Sequence, residues 1–167
     1  ENILRENRCY SGELVKKIVQ RRIETKEDCF KKIHEEIIPM LEQLKAKGIL
    51  IGLISNCFSE EAEVIRRSVL FPYFDAVYLS YEQGVQKPDK EIYKRCMADL
   101  GVRPEECLYI GDGGSNELEA ARTLGMKALQ AVWYLQEGTL QQTGRKAEFE
   151  QMERPMDILI YLTKERI

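Results

Sequence analysis

At 167 residues, with 44% hydrophobic and 32% charged residues, the chain can bury one ordinary core plus a small appendage, and its composition excludes disorder and fibrous repeats. A net charge of −3 offers no uniform positive field, so no nucleic-acid partner is expected and phosphate chemistry would have to rely on a metal. The five cysteines, Cys9, Cys29, Cys57, Cys96 and Cys107, form no C-x-x-C pair and read as reduced thiols; without a leader or an apolar run near the roughly 20 residues that span a bilayer, a cytoplasmic location with no membrane contact is expected.

Glu1 is not an initiator methionine and the opening ENILRENRCYSGELVKK holds no apolar strand, so the chain reads as clipped at its start. Residues 11–36 carry Leu14, Val15, Ile18, Val19 and Ile23 at three- and four-residue spacing, the pattern of an amphipathic helix. Thr25, with Asp28 three residues on, is expected to cap a second short helix. A further helix is expected from about Pro39 to Gly48, followed by ILIGLIS (Ile49 to Ser55), an uncharged run expected of a strand buried on both faces.

Beyond it the periodicity alternates. Helix is expected over Glu60 to Leu70, Asp89 to Leu100 and Asn116 to Leu124, and strand over Ala76 to Leu79, Cys107 to Ile110 and Lys127 to Val132. Gln136 to Arg154 reads as an irregular surface excursion, and Met156, Ile158, Leu159 and Leu162 as a closing helix. This alternation predicts βαβ units, hence an α/β fold with a three-layer Rossmann-like parallel sheet covered on both sides, whose ligands sit beyond the carboxyl ends of the strands.

Polar residues stand at three of those ends: Ser55-Asn56 after ILIGLI, Lys87 in GVQKPDKEIY, and Asp112 in YIGDGGSNELEAARTLGM. Each alone has a bland reading, as a cap, a solvated loop lysine and a turn. In this order, and over about Glu36 to Val132, they resemble the second, third and fourth motifs of the haloacid dehalogenase superfamily. The resemblance implies a phosphatase acting on a small phosphorylated metabolite with Mg2+. It implies Ser55 and Lys87 as catalytic groups, with Ser55, Asn56 and Lys87 on the phosphate and Asp112 on the metal. Charge on a transferring phosphoryl group must be met by donors and cations already in place, which suits a hydroxyl, a compact ammonium and a hard oxygen ligand. Gly113 and Gly114 would let the backbone turn tightly. The second acidic position falls on Asn116 or Glu117, of which the first could orient a metal-bound water and the second keeps the charge.

The same resemblance implies an aspartate nucleophile in a D-x-D motif on a first strand. The six aspartates, Asp28, Asp75, Asp89, Asp99, Asp112 and Asp157, contain no such pair and none follows an N-terminal apolar run. Residues 1–36 then match the tail of a helical cap and residues 37–167 the core without its first strand, whose exposed edges a partner, another element or an oligomer would cover. The chain as it stands is expected to be inactive. A non-catalytic binding or regulatory module is one alternative. A methyl-donor or nucleotide transferase built on IGDGGS is another, disfavoured because the loop comes late in the chain and lacks G-x-G-x-x-G spacing. His34 reads as solvated or capping, Cys57 as inert packing, and Trp133-Tyr134 as partial core.

Overall fold

The computed structural model describes residues 2–8, 10–135 and 144–165, so Cys9 and the first part of the expected excursion, 136–143, lie outside the described residues. A short helix, α1 (Asn2–Glu6), precedes α2 (Gly12–Lys31). Ser11 starts α2 by accepting the Leu14 amide on its Oγ at 3.1 Å. The expected break at Thr25 is absent: α2 runs on for 20 residues. The Thr25 hydroxyl donates to the Arg21 carbonyl one turn back at 2.8 Å, which satisfies it inside the helix instead of at an end. Among the described residues no helix is long and apolar enough to cross a membrane.

The next helix, α3 (Ile37–Ala46), buries Met40, Leu41 and Leu44 and stops at Gly48, whose φ of +74° favours a residue without a side chain. Then come β1 (Gly52–Ser55), α4 (Ser59–Arg67), β2 (Ala76–Leu79), the single turn α5 (Ser80–Gln83), α6 (Lys90–Leu100) and β3 (Leu108–Gly111). The chain continues with α7 (Glu117–Thr123), β4 (Lys127–Ala131), β5 (Glu150–Met152) and α8 (Asp157–Glu165). Asp89 caps α6 by accepting the Glu91 amide at 2.9 Å. The strand β5 corrects the expectation of an irregular stretch to Arg154. It has only 3 residues, too few to show a period, and its anchors are the buried Phe149 and Met152 and a bond from the Val132 amide to the Met152 carbonyl at 3.0 Å.

All described strand pairs are parallel, in keeping with α/β crossovers, yet they make two sheets and not one: β1 with β2, and β3 with β4 and β5. The two halves nevertheless share their cores. On one face Ile49 and Ile51, at the entry to β1, pack in a cluster with Leu108, Ile110 and Leu129 under α3 and α8. On the other, Ile54 and Tyr78 join Tyr109 and Ala128 under α6 and α7. Leu53 of β1 and Val77 and Leu79 of β2 share a third cluster beneath α4, so it is Ile49 and Ile51, at the entry to β1 and packed with Leu108 and Ile110, that set β1 rather than β2 toward β3. One edge of β1 and one edge of β3 therefore go unpaired inside a common layered structure, a row of backbone donors and acceptors with no ladder partner among the described residues.

The helix α2 lies outside these layers and docks on α4. Its Arg22 guanidinium pairs with Glu60 at 2.7 Å and Glu61 at 3.1 Å and stacks 3.9 Å from the centroid of the Phe58 ring. Phe30 packs beside Leu53 and Val77, while Leu14 and Ile18 stay exposed on another side of the helix.

Candidate functional site

Parallel pairing aligns the carboxyl end of β1 with that of β2 and the end of β3 with that of β4, and the loops that leave them approach one another, since Lys87 after β2 senses the charges of Glu117 and Asp112 after β3. After β1, Asn56 clamps the backbone of Lys87 with both ends of its amide: Nδ2 donates to the Lys87 carbonyl at 2.9 Å, and Oδ1 accepts from the Lys87 amide at 2.8 Å. The Asn56 side chain is thus committed to placing Lys87. Ser80 does the same for the residue after Asn56, accepting the Cys57 amide at 3.0 Å and donating to the Cys57 carbonyl at 3.2 Å.

Lys87, whose bond to Pro88 is cis, sends a partly buried ammonium toward β3. Burial holds its pKa below the usual lysine value, opposed by the negative charges of Glu117 and then Asp112. Neither carboxylate comes within 4.0 Å, so the ammonium has no ion pair among the described residues. A desolvated cation that senses two acids without pairing with either is poised for an anion that enters from solvent.

The loop after β3 divides its acids by role. Asp112 is exposed, and its Oδ1 accepts the Gly114 amide at 2.9 Å, which leaves Oδ2 without a donor among the described residues. Glu117 is only 1% exposed and points inward: its two oxygens accept the Gly113 amide at 2.8 Å and the Ser115 amide at 2.6 Å. Asn116, at φ +52°, makes no capping bond with its side chain and is exposed beside Asp112. Of the two residues at the second acidic position, Glu117 shapes the loop from beneath and Asn116 faces outward. The turn requires glycine at two points. Gly113 takes φ +93°, and a Cβ on Gly111 would meet Glu117 Oε1 at 2.8 Å and a ring carbon of Tyr109 at 3.1 Å.

Two buried groups support this loop that sequence reasoning did not single out. Gln130, with no exposed surface, donates from Nε2 to the Asp112 and Gly144 carbonyls, both at 2.9 Å, and accepts the Lys146 amide at 2.8 Å. It is the one uncharged polar residue of KALQA in β4, set among apolar neighbours, which was the available signal. Tyr93 donates to the Glu117 carbonyl at 3.3 Å, and burial pushes its phenol up so that it stays a neutral donor.

The structure thus brings Asn56, Lys87, Asp112, Asn116 and Glu117 together. Ser55 stands on the same rim but opens to the other face of β1, into a cavity of about 130 Å³ that Lys26 and Phe30 of α2 also line. Cys57 is buried, which raises its thiol pKa and keeps it protonated. His34 accepts the Glu36 amide on Nδ1 at 3.2 Å and donates its own amide to the Tyr134 hydroxyl. Trp133 packs in the core, while Tyr134 is 49% exposed. Among the described residues no three His, Cys, Asp or Glu side chains gather into a complete metal centre.

Comparison with known proteins bears on this geometry. The model of one family, the haloacid dehalogenase-like hydrolases, matches residues 4–125. A glyceraldehyde 3-phosphate phosphatase from Methanopyrus kandleri is 32% identical over 96 residues, 57% of this chain and 41% of that protein. The crystal structure of a haloacid dehalogenase-family phosphatase from Thermococcus onnurineus superposes with a TM-score of 0.68 at 23% identity, over 81% of this chain and 60% of the other, a likeness of fold. That of a haloacid dehalogenase-family enzyme from Bacteroides thetaiotaomicron, in complex with magnesium and inorganic phosphate, matches at 26% identity with a TM-score of 0.54, over 64% of this chain and 57% of the other. The chain spans about two fifths of the length of this and other curated relatives that it matches.

Proposed function

We propose that this chain, which belongs to the haloacid dehalogenase-like hydrolase family, supplies most of the active site of a magnesium-dependent phosphatase for a small phosphorylated metabolite. The observation that carries the reading is Lys87, its backbone held by Asn56 and its ammonium desolvated and without an ion pair among the described residues, near Asp112 and Glu117. Such a group meets the charge of a phosphoryl oxygen without reorganising. In this reading Ser55 and the Asn56 backbone amide add hydrogen bonds to the phosphate, and residues 1–36 belong to a cap over the core of residues 37–167.

Magnesium fits the donor set in kind, since it takes one or two carboxylates and keeps several waters. Asp112 would hold it through Oδ2, with Asn116 orienting a bound water and Glu117 fixing the loop through its amides. When bound, the ion would neutralise phosphate charge and offset the repulsion between phosphate and nearby carboxylates. Its remaining oxygen ligand and the nucleophile would come from one further parallel strand between β1 and β3. Without that strand the chain is inactive in this account. A second reading, a binding module without catalysis, is favoured by one observation, the lack of any D-x-D among the six aspartates.

The test is calorimetric titration of the chain with inorganic phosphate. Magnesium chloride is expected to tighten binding by roughly tenfold, about 1.4 kcal/mol, and Asp112→Asn is expected to abolish that gain. Phosphate binding indifferent to magnesium, or unaffected by Asp112→Asn, would refute the metal assignment.

A further inference from the structure

Deepening the reading above and resting on it, we infer that Lys26 is a second anion-binding group that selects substrates whose leaving group carries its own negative charge. Lys26 occupies a junction. It lines the cavity that Ser55 opens into, and it also lines a cleft of about 580 Å³ between α2 and Tyr134, within the range of small-molecule sites. Lys26 and Phe30 line both spaces, so a ligand with its phosphate at the Ser55 end of the first would extend past the Lys26 ammonium.

Of the two α2 cations without a salt bridge among the described residues, Lys16 and Lys26, only Lys26 is half-buried. Lys17 pairs with Glu13, Arg22 with Glu60 and Glu61, and Lys31 with Asp28. Lys26, half-buried on the inward stripe between Arg22 and Phe30, has no carboxylate at ion-pair distance among the described residues. The larger cleft adds Arg21 and Lys32 to it, and Asp28, its one acid, is already engaged by Lys31 at 3.1 Å. Arg21 reaches only Glu24, at 3.9 Å and largely in solvent. The cleft therefore presents excess positive charge on a helix that the paired Arg22 pins to α4, a fixed surface for a carboxylate or a second phosphate. Thr25 and Tyr134 line its walls.

The experiment compares 3-phosphoglycerate with glycerol 3-phosphate, two three-carbon phosphomonoesters of which only the first bears a carboxylate, by titration into the chain followed by calorimetry and amide NMR. Wild type is expected to bind 3-phosphoglycerate roughly tenfold more tightly, with shifts on α2 and Tyr134. Lys26→Ala and Lys26→Gln should remove that preference, and Lys26→Arg should keep it. Equal binding by wild type, or a preference that survives Lys26→Ala, overturns the inference. Lys87→Ala separates the two readings: weaker binding of both esters supports the phosphate site, and unchanged binding of both refutes it whatever Lys26 does. Failure of wild type to bind either ester overturns both. Unchanged amide spectra away from the substituted residue show that each variant remains folded.

Discussion

A polypeptide that adds one parallel strand between β1 and β3, ending in an aspartate, is expected to hydrolyse small phosphomonoesters at least about 10⁴-fold faster than this chain alone, the scale on which enzymes lose rate when a nucleophile is removed. The physical ground is the split sheet. The open edges of β1 and β3 expose backbone groups that a strand would satisfy, while the clusters above and below already join the two halves. A strand in that position would end on the rim where Asn56, Lys87 and Asp112 stand, and its terminal carboxylate would face the unpaired ammonium. The assay sets this chain beside versions extended upstream, with and without magnesium. Activity confined to the extended version supports the account. Robust magnesium-dependent turnover by the unextended chain would contradict it.

Replacing Lys87 with alanine in the extended, active protein is expected to lower kcat/KM by about 10³-fold, the upper range for removing one preorganised charge-stabilising group. The loss should fall mainly on kcat, because charge on the transferring group grows in the transition state. Lys87→Arg should recover part of it, since the charge returns with a different shape. A pH signature follows from the lowered pKa of Lys87. Burial lets its ammonium deprotonate in the folded state at a lower pH than an exposed lysine's, so activity should fall earlier on the alkaline side than an exposed lysine would allow. Stability runs the other way. Where the unfolded state still holds the proton and the folded state has released it, stability rises with pH, so Lys87 penalises folding when charged and the penalty fades as pH approaches 10.5. Activity and stability should therefore diverge over the same alkaline interval, and a parallel fall of both would point to simple unfolding. A Lys87→Ala enzyme that retained wild-type kcat/KM would remove the residue from the chemistry.

Much of the fold was legible because each signal was local. The run of Ala76–Leu79, the glycine after α3 and the Asp89 cap each announce themselves within a few residues. The motif order put Ser55, Asn56, Lys87 and Asp112 at strand ends, and the structure joins Asn56 to the Lys87 backbone while Ser55 lines a separate cavity. What escaped the sequence depended on distant partners. Thr25 resembles a cap until its hydroxyl finds the carbonyl one turn back. The strand β5 is too short for a period and exists through its pairing with β4. Glu117 offers the same formal charge as a metal ligand, and only folding shows that its oxygens are taken by Gly113 and Ser115. The amide of Asn56, an equal candidate for phosphate on paper, is occupied by the Lys87 backbone. The split of the sheet at β1 and β3 is a long-range property that no single segment carries.

In the proposed site Asp112 Oδ2 and the Lys87 ammonium together take a divalent cation and a phosphate. Crystals of the chain grown with manganese chloride and phosphate, and measured for anomalous scattering, test it most directly. The account predicts an anomalous peak at coordination distance from Asp112, with phosphate between it and Lys87. A peak elsewhere, or phosphate bound away from both side chains, would contradict it.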